Sequence, residues 1–211
     1  SPKPQAEFQS IESVDYLGHR IGLTSVRPKA SRISQIRAGI NKMIFATLLK
    51  EPMRGSQRMT RVLGGLDRDY VSLIWQLRRR LYGHLTERQV HRLRRGFVPH
   101  TGLSGVVAQF PVVSDRADFN QLDAWIRRQV WLALRRRASI LGPEIAPHSL
   151  PDVWSLPIER LVLAQARSAT TGQTIDLTMP SASLMAEVVE RSIQLHGPSV
   201  VRGSSRLYLA P

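Results

Sequence analysis

The sequence predicts a mainly α fold, in which a β-hairpin precedes a bundle of helices and a small, mostly helical C-terminal extension. Three observations support this class. Residues 11–26 alternate in polarity and are rich in β-forming residues. Between residues 31 and 142, apolar side chains recur at the three- and four-residue spacing of a helix. Four prolines within residues 143–157 then separate a second, shorter helical region.

The first elements are the hairpin and a long helix. Gly18 and Gly22 interrupt the alternating segment, which indicates a bent hairpin. Ser31 is a favourable N-cap for a helix that extends to about Lys50. The apolar side of this helix carries Ile33, Ile36, Ile40, Met43, Ile44 and Leu48. The opposite side carries Arg32, Gly39, Lys42, Ala46 and Lys50. Small residues between cations would let a phosphate backbone approach the helix closely. Close packing of a neighbouring helix is an alternative explanation for the same small residues.

The next region contains two capped helices. Asp67 is predicted to cap a helix that runs to about Tyr82 and ends at Gly83. Its buried stripe consists of Tyr70, Leu73, Ile74, Leu77 and Leu81. A second face interleaves aromatic rings and guanidinium groups: Trp75, Arg78, Arg79 and Tyr82. Thr86 and Gln89 have the spacing of a capping box for a short basic helix, which ends at Gly96. Residues 97–113 are predicted to be irregular.

The longest helix is predicted from Ser114 or Asp115 to Gly142. Its apolar stripe consists of Phe119, Leu122, Ile126, Val130, Ala133 and Ile140. The outward side carries Arg127, Arg128, Trp131 and Arg135. Cations around an indole suit an anionic polymer that carries flat bases. The alternative is that Trp131 packs beneath another part of the chain and the arginines are solvated.

The C-terminal region begins with the proline-rich residues 143–157, which predict a linker or a strap across the surface. Two helices are predicted after it, from Ile158 to Ala169 and from Ser183 to His196. Ser181 or Ser183 caps the second helix, and Gly197 ends it. Residues 200–209 are predicted to add a strand.

Charge is distributed unevenly along the chain. The 211 residues carry a formal net charge of +14. Residues 1–142 hold 25 basic and 10 acidic side chains, whereas residues 143–211 hold 5 and 6. This asymmetry predicts a localised surface that binds anions. Cysteine is absent, which excludes disulfides, thiolate chemistry and cysteine-based zinc sites. Because the sequence lacks a long apolar run, we expect no membrane partner and a cytoplasmic protein.

Motifs for catalysis are not found in the sequence. The six histidines lack the spacing of metal ligands, and no glycine-rich phosphate loop occurs. Asp67 and Asp69 could suggest a metal pair, but helix capping explains Asp67 better. The segment Thr101-Gly-Leu-Ser-Gly105 does not match the nucleophile elbow of hydrolases. The chain alone is therefore not expected to catalyse a reaction.

One segment resembles a known family. The stretch Val14-Asp-Tyr-Leu-Gly-His-Arg-Ile21, followed by Val26-Arg-Pro28, resembles the primer-grip hairpin of reverse transcriptases, with His19 replacing the usual aromatic residue. The helix that begins near Ser31 corresponds to the start of the thumb. Gln121-Leu-Asp-Ala-Trp-Ile-Arg-Arg128 resembles the thumb of prokaryotic reverse transcriptases of the group II intron lineage. The similarity covers residues 11–142 and is greatest to the unknown-group, defence-associated branch.

The resemblance implies a domain organisation. Residues 1–28 would form the end of the palm with the primer grip, residues 29–142 the helical thumb, and residues 143–211 a C-terminal extension. The primer grip would comprise Tyr16, Leu17, Gly18, His19 and Arg20. The family's metal-binding aspartates have no counterpart here and would lie N-terminal to Ser1. Mg²⁺ is therefore expected for the complete enzyme, with no cofactor in this chain.

The resulting prediction is the template–primer-binding C-terminal portion of an RNA-directed DNA polymerase, with a role in anti-phage defence. Its partners would be RNA and DNA template–primer and the catalytic finger and palm segment of the same or another chain. The alternative is a stand-alone basic scaffold protein that binds RNA or DNA without catalysis. In either case the predicted nucleic-acid-binding residues are Arg32, Lys42, Trp75, Arg78, Arg79, Tyr82, Arg127, Arg128, Trp131 and Arg135.

Overall fold

The computed structural model describes residues 12–54, 61–97, 102–167 and 172–201. The fold is mainly α, as predicted, with a small antiparallel sheet at the beginning of the described chain. Within the described ranges, no helix combines the length and the apolar character needed to cross a bilayer.

The predicted hairpin is confirmed, and a third strand extends it. Strands β1 (Ser13–Tyr16), β2 (His19–Gly22) and β3 (Val26–Pro28) are antiparallel in the order β1-β2-β3. Tyr16 pairs with His19, so the turn contains only Leu17 and Gly18, with φ of 44° and 86°. Two successive residues with positive φ form the turn that matches the twist of a hairpin, and glycine adopts that conformation at little cost.

The first helix begins earlier than predicted. Helix α1 spans Ala30–Ile44, and Lys29 occupies the N-cap position without a side-chain hydrogen bond. The predicted Ser31 cap is therefore wrong. The physical reason is that the backbone N–H of Lys29 donates to the carbonyl of Gly18 at 2.8 Å, which fixes the helix start against the hairpin turn.

Helix α1 does not continue regularly to Lys50. A π-helical turn, Phe45–Leu49, connects it to the short helix α2, Lys50–Arg54. Pro52 lacks the N–H that would donate to the Leu48 carbonyl in a regular α-helix. The predicted apolar side is buried, apart from the half-buried Met43, at Ile33, Ile36, Ile40, Ile44 and Leu48.

The two capped helices follow the sequence prediction closely. A two-residue ribbon of β4 (Val62–Leu63) and β5 (Leu66–Asp67) leads into α3 (Arg68–Tyr82). Asp67 caps α3 by accepting hydrogen bonds from the backbone N–H groups of Asp69 and Tyr70 at 3.0 and 3.2 Å. Gly83 ends the helix with a φ of 70°. Helix α4 (Glu87–Arg94) begins with the capping box of Thr86 and Gln89.

The longest helix, α5, spans Ala117–Leu141 after a 3₁₀ turn at Val107–Gln109. Arg116 occupies the N-cap position without a side-chain hydrogen bond, and Asp115 Oδ1, one residue earlier, accepts a hydrogen bond from the Ala117 N–H at 2.9 Å. The buried side differs from the predicted stripe near its end, because Ile140 is only half-buried. Its buried members are Phe119, Leu122, Ile126, Val130, Ala133, Leu134, Arg137 and Leu141.

The proline-rich segment is a strap rather than a free linker. It consists of three 3₁₀ turns, Gly142–Glu144, Pro147–Ser149 and Asp152–Trp154. Val153 and Trp154 are buried against the helical core.

The helix predicted from Ile158 to Ala169 is wrong. A 3₁₀ turn, Arg160–Leu163, is followed by β6 (Gln165–Arg167), which pairs with β7 (Thr174–Asp176). The pairing continues where Leu177 N–H donates to the Ala164 carbonyl at 3.0 Å. The helix propensity of a segment is a weak preference, and here the pairing with residues 174–177 overrides it.

The last helix is confirmed. Helix α6 spans Ala182–His196, and the Ser181 hydroxyl accepts from the Leu184 N–H at 3.0 Å. Gly197, with a φ of 76°, ends it. The predicted strand at 200–209 lies mostly outside the described residues. Within them, Val201 forms a parallel bridge with Leu103.

The C-terminal segment shares one buried core with the preceding helices. Helix α6 packs on α3, α4 and α5, and its buried side chains belong to the same apolar cluster. Asp123 on α5 accepts hydrogen bonds from the N–H groups of Ala182 and Ser183 at 2.6 and 3.1 Å. A carboxylate at a helix N-terminus satisfies free N–H groups and interacts favourably with the helix dipole.

A buried arginine connects the segments of this core. Arg137 is fully buried and donates two hydrogen bonds to Asp67, at 2.7 and 3.1 Å, and one to Asp69 at 2.7 Å. It also donates to the Leu48 carbonyl at 2.7 Å, the same carbonyl that Pro52 cannot satisfy. The indole N–H of Trp154 donates to Asp67 at 2.8 Å. The network thus joins α5, the start of α3, the π-helical turn and the strap.

We predict that Arg137→Met destabilises the protein by about 3–5 kcal/mol, because it leaves the buried Asp67 carboxylate without its compensating charge. The measurement is urea unfolding of the full chain. The neighbouring exposed residue provides the control, since Arg136→Met should change the free energy of unfolding by no more than about 0.5 kcal/mol. Equal effects of the two substitutions would contradict the prediction.

Candidate nucleic-acid interface

A cationic surface forms where α1 and the π-helical turn lie beside α5. We call it the α1–α5 surface. It contains a groove of about 530 Å³ whose lining includes Asn41, Lys42, Phe45, Gln129, Leu132 and Arg136. Arg128 lies one turn before Leu132 on the same exposed side of α5. Residues 30–49 and 124–141 contain no acidic residue, so these two stretches contribute cations to the surface and no acidic side chain.

The cations of the α1–α5 surface have no acidic partner within the described residues. Among the described residues, no ion pair involves Lys42, Arg128 or Arg136. Phe45 and Leu132, at 49% and 44% exposure, add apolar contact area between these cations. Such a surface can hold phosphates by charge and the sugars or bases beside them by apolar contact.

Two other basic residues of α1 have intramolecular contacts. Arg37 stacks over the ring of Trp125 at 5.6 Å, and Arg32 donates to the Gln35 side chain at 3.2 Å. Gly39 faces the guanidinium of Arg80 from α3, which would collide with a side chain at that position. Gly39 therefore makes room for a side chain of the neighbouring helix α3, which was the second of the two interpretations of this small residue, rather than for a phosphate.

The hairpin turn projects three of the five predicted primer-grip residues. Tyr16 and Leu17 are 62% and 58% exposed, and Gly18 adopts the positive φ that the turn requires. His19 instead points into the core, where its ring meets Phe110 edge-on at 5.6 Å. Burial lowers the pKa of His19, which favours the neutral ring. Arg20 forms an exposed ion pair with Asp15 at 3.3 Å.

The predicted aromatic and basic face of α3 is divided by the C-terminal segment. Trp75 and Arg79 are exposed. Tyr82 is fully buried, so its predicted position on an outward face is wrong. Arg78 donates to the Thr178 carbonyl at 2.8 Å and pairs with Asp176 at 3.1 Å. Both differences arise because residues 174–182 pack against this side of α3.

A buried carboxyl group lies at the junction of α3, α4 and α6. Glu87 accepts a hydrogen bond from the Tyr82 hydroxyl at 3.3 Å, and that hydroxyl accepts one from the Ser181 N–H at 2.7 Å. Burial, reinforced by the nearby Asp176, raises the pKa of Glu87 to about 7 against the opposing effect of Arg78. Burial also raises the pKa of Tyr82.

The outward side of α5 is largely covered by the strap. Trp131 is half-buried, and its indole N–H donates to the Leu156 carbonyl at 3.3 Å. Arg135 stacks over the same ring at 5.1 Å and donates to the Ser155 carbonyl at 3.2 Å. Arg127 is half-buried, and Arg128 is exposed. Trp131 therefore packs beneath the strap, which is the alternative to an exposed nucleic-acid contact that the sequence left open.

No candidate metal centre is found in the part of the chain that the structure describes, which holds no cluster of three potential metal ligands. Asp67 and Asp69 converge, but on the guanidinium of Arg137. Their carboxylates are therefore occupied by hydrogen bonds and a salt bridge, which does not fit a magnesium site.

The sequence prediction of the cationic surface was incomplete. It included Lys42 and Arg128 but not Phe45, Leu132 or Arg136, because these come together only when α1 packs on α5. The signal that could have found them was the absence of acidic residues from residues 30–49 and 124–141. Comparisons with family models, with curated proteins and with solved structures identified no match to this chain.

We predict that Trp131→Ala lowers the free energy of unfolding by about 2–3 kcal/mol, somewhat less than a fully buried tryptophan would cost. Trp75→Ala should change it by no more than about 0.5 kcal/mol, because the ring is exposed. Thermal and urea unfolding of both variants measure the difference. A Trp75 variant as unstable as the Trp131 variant would show that the exposed ring has a structural role.

We predict that Glu87 makes stability decrease as the pH rises from about 4.5 to about 7. The folded protein holds the Glu87 proton more tightly than the unfolded chain, so this stabilisation is complete below the unfolded pKa and is lost as the pH rises through the folded value. Glu87→Gln should remove this component, which melting temperatures across the range measure. Arg78, His91, Asp176 and Tyr82 surround the carboxyl and are unchanged in both proteins. Parallel pH profiles of variant and parent would refute the assignment.

Proposed function

We propose that this chain is the template–primer-binding C-terminal portion of an RNA-directed DNA polymerase that acts in the cytoplasm, in anti-phage defence. The observation that carries the proposal is the α1–α5 surface, where Lys42 and Arg136 line the groove, Arg128 lies one turn away, and residues 30–49 and 124–141 contain no acidic residue. The resemblance of residues 11–142 to a primer grip and thumb adds to it.

The α1–α5 surface is suited to a duplex backbone rather than to a particular base sequence. Lysine and arginine on two adjacent helices would contact phosphates, and contacts of this kind fix position without reading sequence. Phe45 and Leu132 supply apolar area that a sugar can cover. Template and primer strands of RNA or DNA would therefore be held with little sequence preference.

The hairpin has an apolar face that suits a second protein segment. Val14 pairs with Ile21 across the strands, and both are exposed, at 52% and 41%. Tyr16 lies on the same face, which continues through His19 to the buried Phe110. We propose that the catalytic finger and palm segment, from the same or another chain, covers this face and orients the Leu17–Gly18 turn toward the primer end.

The residues described here do not supply the metal chemistry of polymerisation. In the family that this chain resembles, aspartates of the palm hold Mg²⁺, and such residues would have to come from the proposed partner segment. The contribution of this chain is to bind the duplex and to position the primer terminus.

The alternative is a basic scaffold protein that binds RNA or DNA without catalysis. It requires the same α1–α5 surface, but it gives no role to the exposed apolar face of the hairpin. The two differ in their preference for duplex ends. A primer-grip protein should prefer a recessed 3′ end and lose that preference in Tyr16→Ala, whereas a scaffold should bind blunt and recessed duplexes equally.

We predict that the triple variant Lys42→Gln, Arg128→Gln, Arg136→Gln weakens duplex binding at least ten-fold at moderate salt. The slope of log affinity against log salt should fall by about 0.9 for each phosphate that the variant no longer neutralises. Fluorescence anisotropy with a labelled template–primer duplex measures both quantities.

A variant with the same charge change controls for net charge. Arg88, Arg92 and Arg95 are exposed on and after α4, away from the α1–α5 groove. Their replacement by glutamine should leave affinity and slope nearly unchanged. If both triple variants lose affinity equally, binding reflects overall charge and the proposed surface is incorrect.

A further inference from the structure

A second and larger groove lies beside α3. We call it the Trp75 groove. It has a volume of about 1070 Å³ and is bordered by α3, by the turn at residues 83–86, by Ser104 and by β7. It shares no lining residue with the α1–α5 groove. Its size falls near the upper end of the range typical of sites for small organic ligands and cofactors.

Trp75 is the exposed aromatic wall of this groove. Its side chain is 64% exposed, and within the described ranges no ring or cation contact involves it. Each of the other three tryptophans has a contact of its indole, either with a guanidinium group or through a hydrogen bond. Trp125 lies under Arg37, Trp131 under Arg135, and Trp154 donates to Asp67. An indole left open beside an apolar floor of Leu85 and Ile175 offers a flat surface for a planar ring.

The two arginines that line the groove differ in their ion pairs within the described residues. Arg78 pairs with Asp176 of β7 and donates to the Thr178 carbonyl just after that strand. Arg79 is exposed and takes part in no ion pair among the residues that the structure describes. The groove therefore presents an open aromatic face beside an uncompensated guanidinium group.

This combination fits a nucleotide better than a peptide. A base stacks on an indole face, and its phosphate can form a bidentate contact with a guanidinium group. A basic peptide is disfavoured by the net charge of +14, and an acidic peptide supplies no ring for Trp75. A base inside a duplex is already stacked on its neighbours, so only an unpaired nucleotide can use this wall.

We propose that the Trp75 groove binds an unpaired nucleotide of a single strand, with the base stacked on Trp75 and a phosphate on Arg79. The inference rests on the proposed function in requiring a nucleic-acid partner, and it adds a single-strand site distinct from the duplex surface. It also assigns a role to the C-terminal segment. That segment carries little net charge, yet β7 forms one wall of the groove.

The test uses the full chain and a labelled single strand of about 12 nucleotides, within the span of single-strand sites. Binding should quench tryptophan emission, and Trp75→Ala should remove most of the quenching and weaken single-strand affinity about ten-fold or more. Trp75→Phe, which keeps a ring, should retain most of the affinity. Phe97→Ala removes another exposed aromatic side chain, at 63% exposure and outside both grooves, and should have no effect.

Two further measurements separate this site from the duplex surface. Arg79→Gln should lower the salt slope for the single strand by about 0.7, the value for one phosphate contact. The Lys42, Arg128 and Arg136 variant should lose duplex affinity but keep the quenching by the single strand. If the parent protein does not bind duplex but still shows Trp75-dependent binding of the single strand, the proposed function is refuted and the single-strand site is supported.

Other results would overturn the inference. Unchanged single-strand affinity in Trp75→Ala would show that the ring is not part of a binding site. Equal quenching by a blunt duplex would show that the groove does not select unpaired bases. Quenching of Trp75 by a polyglutamate peptide as strong as that by the single strand would assign the groove to a protein partner.

Discussion

The buried guanidinium of Arg137 is the interaction on which the arrangement of the helices depends. It lies on α5 and hydrogen-bonds to Asp67, Asp69 and the carbonyl of Leu48, while Asp67 also accepts from the indole of Trp154. A buried charge is tolerated only where its partners are fully positioned. The start of α3, the π-helical turn and the strap must therefore meet α5 at one point, which fixes which sides of α3 and α5 remain exposed.

The C-terminal segment determines which predicted binding residues are accessible. Trp131 and Arg135 donate hydrogen bonds to carbonyls of the strap. Arg78 and Tyr82 form hydrogen bonds with residues that follow β7. The opposite side of α5, next to α1, is left open. Since residues 124–141 of that side carry no acidic residue, the same packing that stabilises the core leaves Lys42, Arg128 and Arg136 together on one surface.

Local sequence signals worked where a few neighbouring residues decide the structure. Asp67, Thr86 and Gly83 marked helix boundaries correctly because capping involves only adjacent backbone groups. The Leu17–Gly18 turn followed from the alternating pattern around a glycine. The same reasoning failed for Ile158–Ala169, because strand pairing with residues 174–176 is a contact between segments and leaves no mark on helical periodicity.

The sequence by itself determined the mainly α class, the apolar faces of α1 and α3, most of the apolar face of α5, and the concentration of basic residues before residue 143. These depend on side-chain type and spacing, which the chain carries locally. Only the tertiary structure decided that Arg137 is a core residue, that Trp131 lies under the strap, and that Lys42 meets Arg136 across a groove. These depend on which segments pack together, and packing brings together residues far apart in sequence whose contacts no local period encodes.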